Sequence, residues 1–378
     1  MDVEVDVVTG AAVPKYTREI LSRLPPSIRA RPIPSRGYGS TRIATAYRLF
    51  HHPREIRRLR RKEAILHVDT QLLAYVLAKS VKPPTLLTCH DLVPFHPEFD
   101  DPSYVSRRRA VDRIFYRRLN AGLLRANRIV AVSDFTRKEL IGRGVRADTI
   151  DVVPMGVDLD AYRPRPEAET KTVLAKYGIP ADRPRLLYVG TEHPRKNLAG
   201  LFRAFARLQG RTDAVLVKVG APRAPQHTEL ERLASSLGIT ARVVSVESVA
   251  EPDMPALYAA AHALVLPSFY EGFGLPPLEA MACGTPVAVS RAASLPELVG
   301  EAGVYFDPRD EEDLADALLR ILGSEDLRAD LAARGRERAS AYGWERTIEA
   351  LVRSYERLAG RENRVSRTKN REGMRDHS

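Results

Sequence analysis

Along the second half of the chain, apolar residues gather in short, nearly unbroken runs separated by stretches with helical spacing. Arg185–Gly190, Ala214–Gly220, Arg242–Val246, Ala263–Ser268, Pro286–Ser290 and Gly303–Asp307 are runs of this kind, as expected of strands covered on both faces. After the first run, Leu198, Leu201, Phe202, Phe205 and Leu208 recur at helical spacing. Further helices are predicted near 227–238, 254–262, 276–283 and 310–322. This alternation predicts a doubly wound parallel sheet. The first half reads the same way, with strands at Val3–Val8, Ala64–Val68, Thr85–Cys89, Arg128–Ser133 and Ile150–Val153. A helix is predicted from Pro14 to Leu24, with Pro14 in its first turn. Pro164, Pro166, Pro180 and Pro184 mark 161–184 as a linker. A last helix over Trp344–Leu358 carries Ile348, Leu351, Val352, Tyr355 and Leu358 on one face, and the charged tail from Arg361 is expected to be disordered. The expected divisions are a layered α/β domain over 1–165, a second over 166–340, a helix over 341–360 and a basic tail over 361–378. Ligands of such sheets bind beyond the carboxyl ends of the strands, so two facing sheets would hold a site in the cleft between them.

Composition narrows the class. With 378 residues, 44% hydrophobic and 28% charged, the chain is folded and too long for one ordinary core. No apolar run reaches the roughly 20 residues that span a bilayer. Met1-Asp2-Val3-Glu4 does not open like a secretory signal. Two cysteines, Cys89 and Cys283, are too few and too far apart for a disulfide framework or a zinc site. The expectation is a cytoplasmic protein. The net charge of +11 is concentrated in the N-terminal half and the tail, which suggests an anionic partner there. No finger, KH or RRM signature accompanies it, so no nucleic-acid partner is expected.

The chemistry concentrates in two runs. EGFGLPPLEAMACGTPVAVS, 271–290, reads as a strand exit, a turn holding Gly272 and Gly274, and a helix opened by Pro276 and Pro277 and ended by Gly284. Backbone amides near Gly274 and Leu275 then stand at a helix start, where a phosphate is favoured. Glu271 and Glu279 flank that turn and can accept hydrogen bonds from sugar and ribose hydroxyls. The second run, YVGTEHPRKNL at 188–198, sets Arg195 and Lys196 just before a helix. Two cations there oppose the helix dipole unless an anion joins them, and a diphosphate would be such an anion. No Asp-x-Asp ligand set stands in a suitable loop, so these cations are expected to replace a metal; no metal and no cofactor are expected.

Residues 271–290 resemble the E-x7-E donor motif of the retaining glycosyltransferases of family 4, whose GT-B fold consists of two facing Rossmann-like doubly wound domains. The resemblance extends over nearly the whole chain. It takes in VGT…PRKN, VPMGVD at 153–158, VSDFT at 132–136 and the terminal helix WERTIEALVRSYERL, which in the family crosses back to the N-terminal domain. PRKN and HDLVP at 90–94 are most similar to mannosyltransferase-like members. The resemblance implies that Arg195 and Lys196 hold the donor diphosphate, Glu271 contacts the transferred sugar and Glu279 the ribose, while Gly274 and Leu275 lend backbone donors. It also implies a GDP- or UDP-sugar as co-substrate, mannose or glucose as the hexose, retention of α configuration, and a glycan or lipid-linked acceptor.

On the acceptor side, His90 and Asp91 follow the strand Thr85–Cys89. The family's corresponding histidine lies near the sugar and contributes to catalysis, which the resemblance carries to His90. Asp91 either orients it or caps the next segment. The first strand–helix turn departs from the family's Gly-Gly run: in Thr9-Gly10-Ala11-Ala12-Val13-Pro14 only Gly10 remains to let backbone approach a phosphate. That departure motivates one alternative, a non-catalytic glycosyltransferase-like partner subunit; a nucleotide-sugar 2-epimerase is another. Arginines crowd two stretches, Arg42 to Lys62 and Arg107 to Arg128, interspersed with Ile56, Leu59, Ile114, Phe115 and Leu119. Amphipathic helices of this kind would bind an anionic membrane surface, at the inner face of the cell membrane.

Overall fold

The computed structural model describes residues 2–10, 14–34, 47–48, 50–79, 84–99 and 110–360. The Ala11–Val13 part of the first loop, Arg42, Arg107, Arg108, Arg109 and the tail from Arg361 lie outside the described residues. Two compact units emerge: Met1–Pro154 with Trp344–Ser378, and Met155–Gly343.

The first unit holds a six-stranded sheet of β1 (Val3–Thr9), β2 (Ile28–Pro34), β3 (Ile65–Val68), β4 (Thr85–Cys89), β5 (Arg128–Ala131) and β6 (Ile150–Val152), in the order β2-β1-β3-β4-β5-β6. Every pairing is parallel. Successive side chains of a strand face opposite ways, and the cores follow that rule. Val3, Val5, Val7, Ile65, Leu86 and Val130 pack on one face with Trp344, Ile348, Leu351 and Tyr355 of the terminal helix. Val8, Leu66, Val68, Leu87 and Ile129 pack on the other with Phe115, Leu119 and Leu123. The apolar stripe of Trp344–Leu358 is thus spent on the sheet of the first unit. His67 fastens it, with Nδ1 2.8 Å from the Tyr355 hydroxyl and Nε2 2.8 Å from Thr88 Oγ1. Burial drops the His67 pKa to about 3, so this tie is uncharged. Asp151 accepts from Arg357 at 2.7 Å and from Arg128 at 2.6 Å.

The second unit repeats the plan with β7 (Arg185–Val189), β8 (Val215–Val219), β9 (Val243–Val246), β10 (Ala263–Leu266), β11 (Val287–Ser290) and β12 (Gly303–Phe306), in the order β12-β11-β10-β7-β8-β9. The chain order reverses between β1 and β3 in one sheet and between β7 and β10 in the other. Crevices beyond the strand ends open at such switch points.

Two expectations need correction. The first unit ends at Pro154 and not at 165, because Val157 N–H donates to Tyr342 O at 2.9 Å and buried Tyr162 lies 6.1 Å from the Tyr258 ring. The segment 161–184 is not a linker. Its prolines bracket a helix, Glu167–Lys176, which the Asp253 carboxylate pins through Lys176 Nζ at 2.6 Å and the Tyr177 hydroxyl at 2.7 Å. β2 was also not foreseen. Most of its residues, Pro32 and Pro34 among them, are exposed, which fits an edge strand, where missing N–H groups do little harm.

Candidate active site

At the carboxyl end of β7 the chain makes a 3-10 turn, Pro194–Lys196, capped by His193, whose Nδ1 accepts from Arg195 N at 3.2 Å. Asn197 then takes a left-handed conformation, φ 56°, before the helix Leu198–Ala206. Asparagine tolerates that region better than most residues, and its Nδ2 donates to Pro308 O at 2.7 Å. The turn delivers Arg195 and Lys196 to the neighbouring strand end. Beyond β10, Lys196 Nζ lies 2.6 Å from Glu271 Oε1, and Arg195 Nη1 lies 3.1 Å from Oε2. Ser268 Oγ donates to Oε1 at 2.6 Å, and Arg195 Nη1 also donates to Tyr270 O at 2.9 Å. The anion that these cations require is therefore carried by the chain itself.

Glu271 and Lys196 are both buried. Burial alone would raise the Glu271 pKa; the charges of Lys196 and Arg195, with hydrogen bonds from Lys196 and Ser268, outweigh it and hold the value at about 2. The loop after β11 supports the group from behind. Ser294 Oγ donates to the carbonyls of Glu271 and Phe273, each at 2.9 Å, and Ser290 Oγ donates to Ser268 O at 2.5 Å.

Gly274 caps the helix Leu275–Ala282 with φ 112°, a left-handed conformation that favours glycine. A Cβ there would stand 2.9 Å from Leu295 Cδ2 and 3.1 Å from Leu298 Cδ2. The first amides of a helix lack intrahelical partners, and Pro276 and Pro277 have no N–H, so Gly274 and Leu275 carry the donors nearest the turn. Glu279, one turn along, is half-buried and accepts from the Tyr258 hydroxyl at 2.7 Å. Ser268, Ser294, Asn197 and Tyr258 were not foreseen from sequence; serines after strands give no distinctive signal by themselves.

The first unit builds its strand ends differently. His90 Nε2 lies 2.9 Å from the Asp69 carbonyl, and its ring meets Tyr16 edge-on at 5.1 Å. A carbonyl can only accept, so Nε2 carries the hydrogen, and in the neutral ring Nδ1 is left as the acceptor. Burial lowers the His90 pKa, against the hydrogen bond to Asp69, which favours that neutral form. Asp91 Oδ1 accepts from Val93 N at 3.1 Å and from Gln71 Nε2 at 2.8 Å. Gln71 Oε1 in turn accepts from His90 N at 3.1 Å, so Asp91 is tied both to the start of the next segment and to His90. Gly10 follows β1, and Thr9 Oγ1 donates to its carbonyl at 3.1 Å.

Sequence reasoning passed over Asp69. This residue follows β3, is 3% exposed, and accepts from Thr17 Oγ1 at 2.7 Å through Oδ2. Its Oδ1 is buried without a partner among the described residues. Burial pushes its pKa up to about 6, against the pull of the Thr17 bond.

The arginine-rich stretches divide. Ile56, Phe115 and Leu119 are core residues, which corrects their expected place at a membrane interface, whereas Leu59 and Ile114 are about half exposed, as is Phe50. Arg57 and Arg58 are exposed, and the Arg118 guanidinium stacks 5.3 Å over Phe50. Arg61 is structural, its Nε 3.0 Å from the fully buried Asp6 carboxylate. Among the described residues, no helix is long and apolar enough to cross a membrane.

Comparison with known proteins adds to this geometry. Residues 1–161 match the family described as Glycosyltransferase Family 4, and residues 169–338 match Glycosyl transferases group 1. The chain is 36% identical over 320 residues to the O-antigen chain mannosyltransferase B of Escherichia coli, covering 84% of this chain and 80% of that protein. It is 35% identical to a D-inositol 3-phosphate glycosyltransferase of Mycolicibacterium paratuberculosis, covering 61% of this chain and 53% of that one. Among solved structures, Anabaena HepE, crystallised with UDP and glucose, superposes with a TM-score of 0.78 at 18% identity, covering 94% of this chain and 100% of that chain. Sucrose-phosphate synthase from Thermosynechococcus elongatus gives 0.75 at 22% identity, covering 95% and 99%.

Proposed function

The chain belongs to glycosyltransferase family 4, has the GT-B fold and is a glycosyltransferase, and from that premise we propose that it moves a hexosyl group from a nucleotide-diphosphate sugar, with retention, onto a glycan or lipid-linked acceptor. The observation that carries this reading is the ion group of Arg195, Lys196 and Glu271, the last two buried, at the switch point of the second sheet. Two cations, each paired with Glu271, could also draw in a diphosphate, and that carboxylate suits sugar hydroxyls. Mannose as the transferred sugar is favoured by the name of the Escherichia coli relative; glucose from a UDP-sugar is the other candidate, since HepE was crystallised with UDP and glucose.

In this reading Arg195, Lys196 and the amides of Gly274 and Leu275 stabilise the charge that grows on the departing diphosphate, which is the largest single contribution such a site offers. Glu271 holds the sugar, Glu279 meets the ribose, and His90 offers its Nδ1 lone pair to a hydroxyl near the reacting carbon. The acceptor hydroxyl attacks from the face that the diphosphate leaves and passes its proton to the leaving phosphate. In this reading the cations of Arg195 and Lys196 take the place a metal would have beside the diphosphate. The exposed Phe50, Leu59 and Ile114 beside Arg57, Arg58 and Arg118 would set the protein on an anionic membrane where a lipid-linked acceptor resides. The test is transfer from GDP-mannose and UDP-glucose to a panel of glycan acceptors in EDTA, with the product anomer read by NMR. The expected result is an α-linked product that forms despite chelation. A β-linked product, or activity recovered only with added Mg²⁺ or Mn²⁺, would contradict the mechanism.

A further inference from the structure

The donor site already contains the negative charge that its cations need. We infer that Glu271 is a selectivity element, favouring the sugar-bearing donor over the sugarless nucleoside diphosphate that remains after transfer. This inference rests on the donor site proposed above and assigns it a preference.

The Glu271 carboxylate is bound by Lys196, Arg195 and Ser268, while its carbonyl accepts from Ser294 Oγ at 2.9 Å. Ser294 is presented from a loop in which Ala293 adopts φ 53°, a conformation that costs a non-glycine residue energy and persists only where the surroundings demand it. Held at both ends, the carboxylate is not free to swing aside when a ligand arrives. Nor is it neutralised by protonation in the physiological range, since its neighbours keep it ionised.

A diphosphate that draws on Arg195 and Lys196 therefore comes close to a fixed anion. With a sugar attached, hydroxyl groups stand between the two negative charges and donate to the carboxylate, so Glu271 exchanges one set of donors for another. Without the sugar there is no such donor. The terminal phosphate then carries about one further negative charge near neutral pH and meets the carboxylate directly. Like charges repel strongly in a site shielded from water. The same residue thus holds the intact donor and helps to expel the nucleotide product.

Isothermal titration of the full chain with GDP, UDP, GDP-mannose and UDP-glucose tests this, for the wild type and Glu271→Gln. The glutamine keeps the shape and removes the charge. The variant should bind the cognate nucleoside diphosphate about tenfold more tightly and the sugar nucleotide more weakly, reversing the preference. Nucleoside diphosphate affinity that is unchanged or lower in the variant overturns the inference while leaving the donor site in place. A wild-type chain that binds none of the four ligands overturns both. Should Glu271→Gln fail to fold, Glu271→Asp keeps a carboxylate one methylene farther from the cations. It should bind the nucleoside diphosphate about two- to threefold more tightly, and no gain there also overturns the inference.

Discussion

Glu271 and Asp69 occupy comparable places in two sheets of like topology: each acid follows the strand across the switch point, β10 in one unit and β3 in the other. Their electrostatics are opposite. Glu271 sits between two cations, and its pKa is held at about 2; Asp69 accepts from the Thr17 hydroxyl, has an oxygen without a side-chain or backbone partner at hydrogen-bond distance among the described residues, and is raised to about 6. A carboxylate beyond a strand end can thus be fixed in its charged form by neighbouring cations, as Glu271 is, or have its ionisation opposed by burial, as Asp69 does.

The largest expected effect comes from unbalancing the charged group. Lys196→Ala leaves the buried Glu271 carboxylate short of a cation, and breaking a buried pair from one side costs about 3–5 kcal/mol. Urea unfolding should show that loss, with transfer activity falling alongside. Adding Glu271→Ala to the same chain should recover part of the stability and none of the activity. Equal stability of Lys196→Ala and wild type would mean that the ion group contributes little.

Asp69 should show the opposite pH behaviour. Its folded pKa lies above the ordinary aspartate value of 3.8, so between that value and about 6 the folded state binds more protons than the unfolded chain. Its stability contribution is greatest at the acid end of that window and is lost as pH rises through it, by up to about 3 kcal/mol. Glu271, lowered from 4.5 to about 2, stabilises above 4.5, and that contribution is lost as pH falls towards 2. Denaturant titrations of Asp69→Asn from pH 4 to pH 7 should lack the downward slope that Asp69 contributes to the wild type. An unchanged slope would place the effect elsewhere.

Smaller effects sharpen the contrast. Gly274→Ala places a Cβ against Leu295 and Leu298 at φ 112°, at about 1–3 kcal/mol. Thermal unfolding should register this, together with weaker donor binding. At the surface of the first unit, Arg57→Glu with Arg58→Glu should lower co-sedimentation with phosphatidylglycerol vesicles, by about 1 kcal/mol per residue, at unchanged stability. A wild type that remains in the supernatant at low salt would remove the membrane from the account.

The parallel strands were legible because burial on both faces leaves uninterrupted apolar runs. β2 was not, since a half-exposed edge strand reads as a mixed polar segment. Prolines misled at 161–184, where they bound a helix and do not mark a linker. Arg195, Lys196 and Glu271 stood out one by one, but their mutual pairing joins residues 75 and 76 positions apart and follows from strand order, which local pattern does not encode. Asp69 was within reach: it ends an apolar strand as His90 does, yet a lone aspartate after a strand is common at caps and turns. The arginine stretches show the converse limit. Helical spacing grouped Ile56 with Leu59, and only packing separates a core residue from an exposed one.

The most direct test of the account is hydrogen–deuterium exchange of the full chain with saturating nucleoside diphosphate. Protection should appear at 190–200, 268–279 and 290–295 in the second unit, while the strand ends of the first unit, near 67–71 and 88–92, should exchange as before. Protection confined to the first unit, or absent from all three segments of the second despite saturation, would contradict the assignment of the donor diphosphate to Arg195, Lys196 and the Gly274 turn.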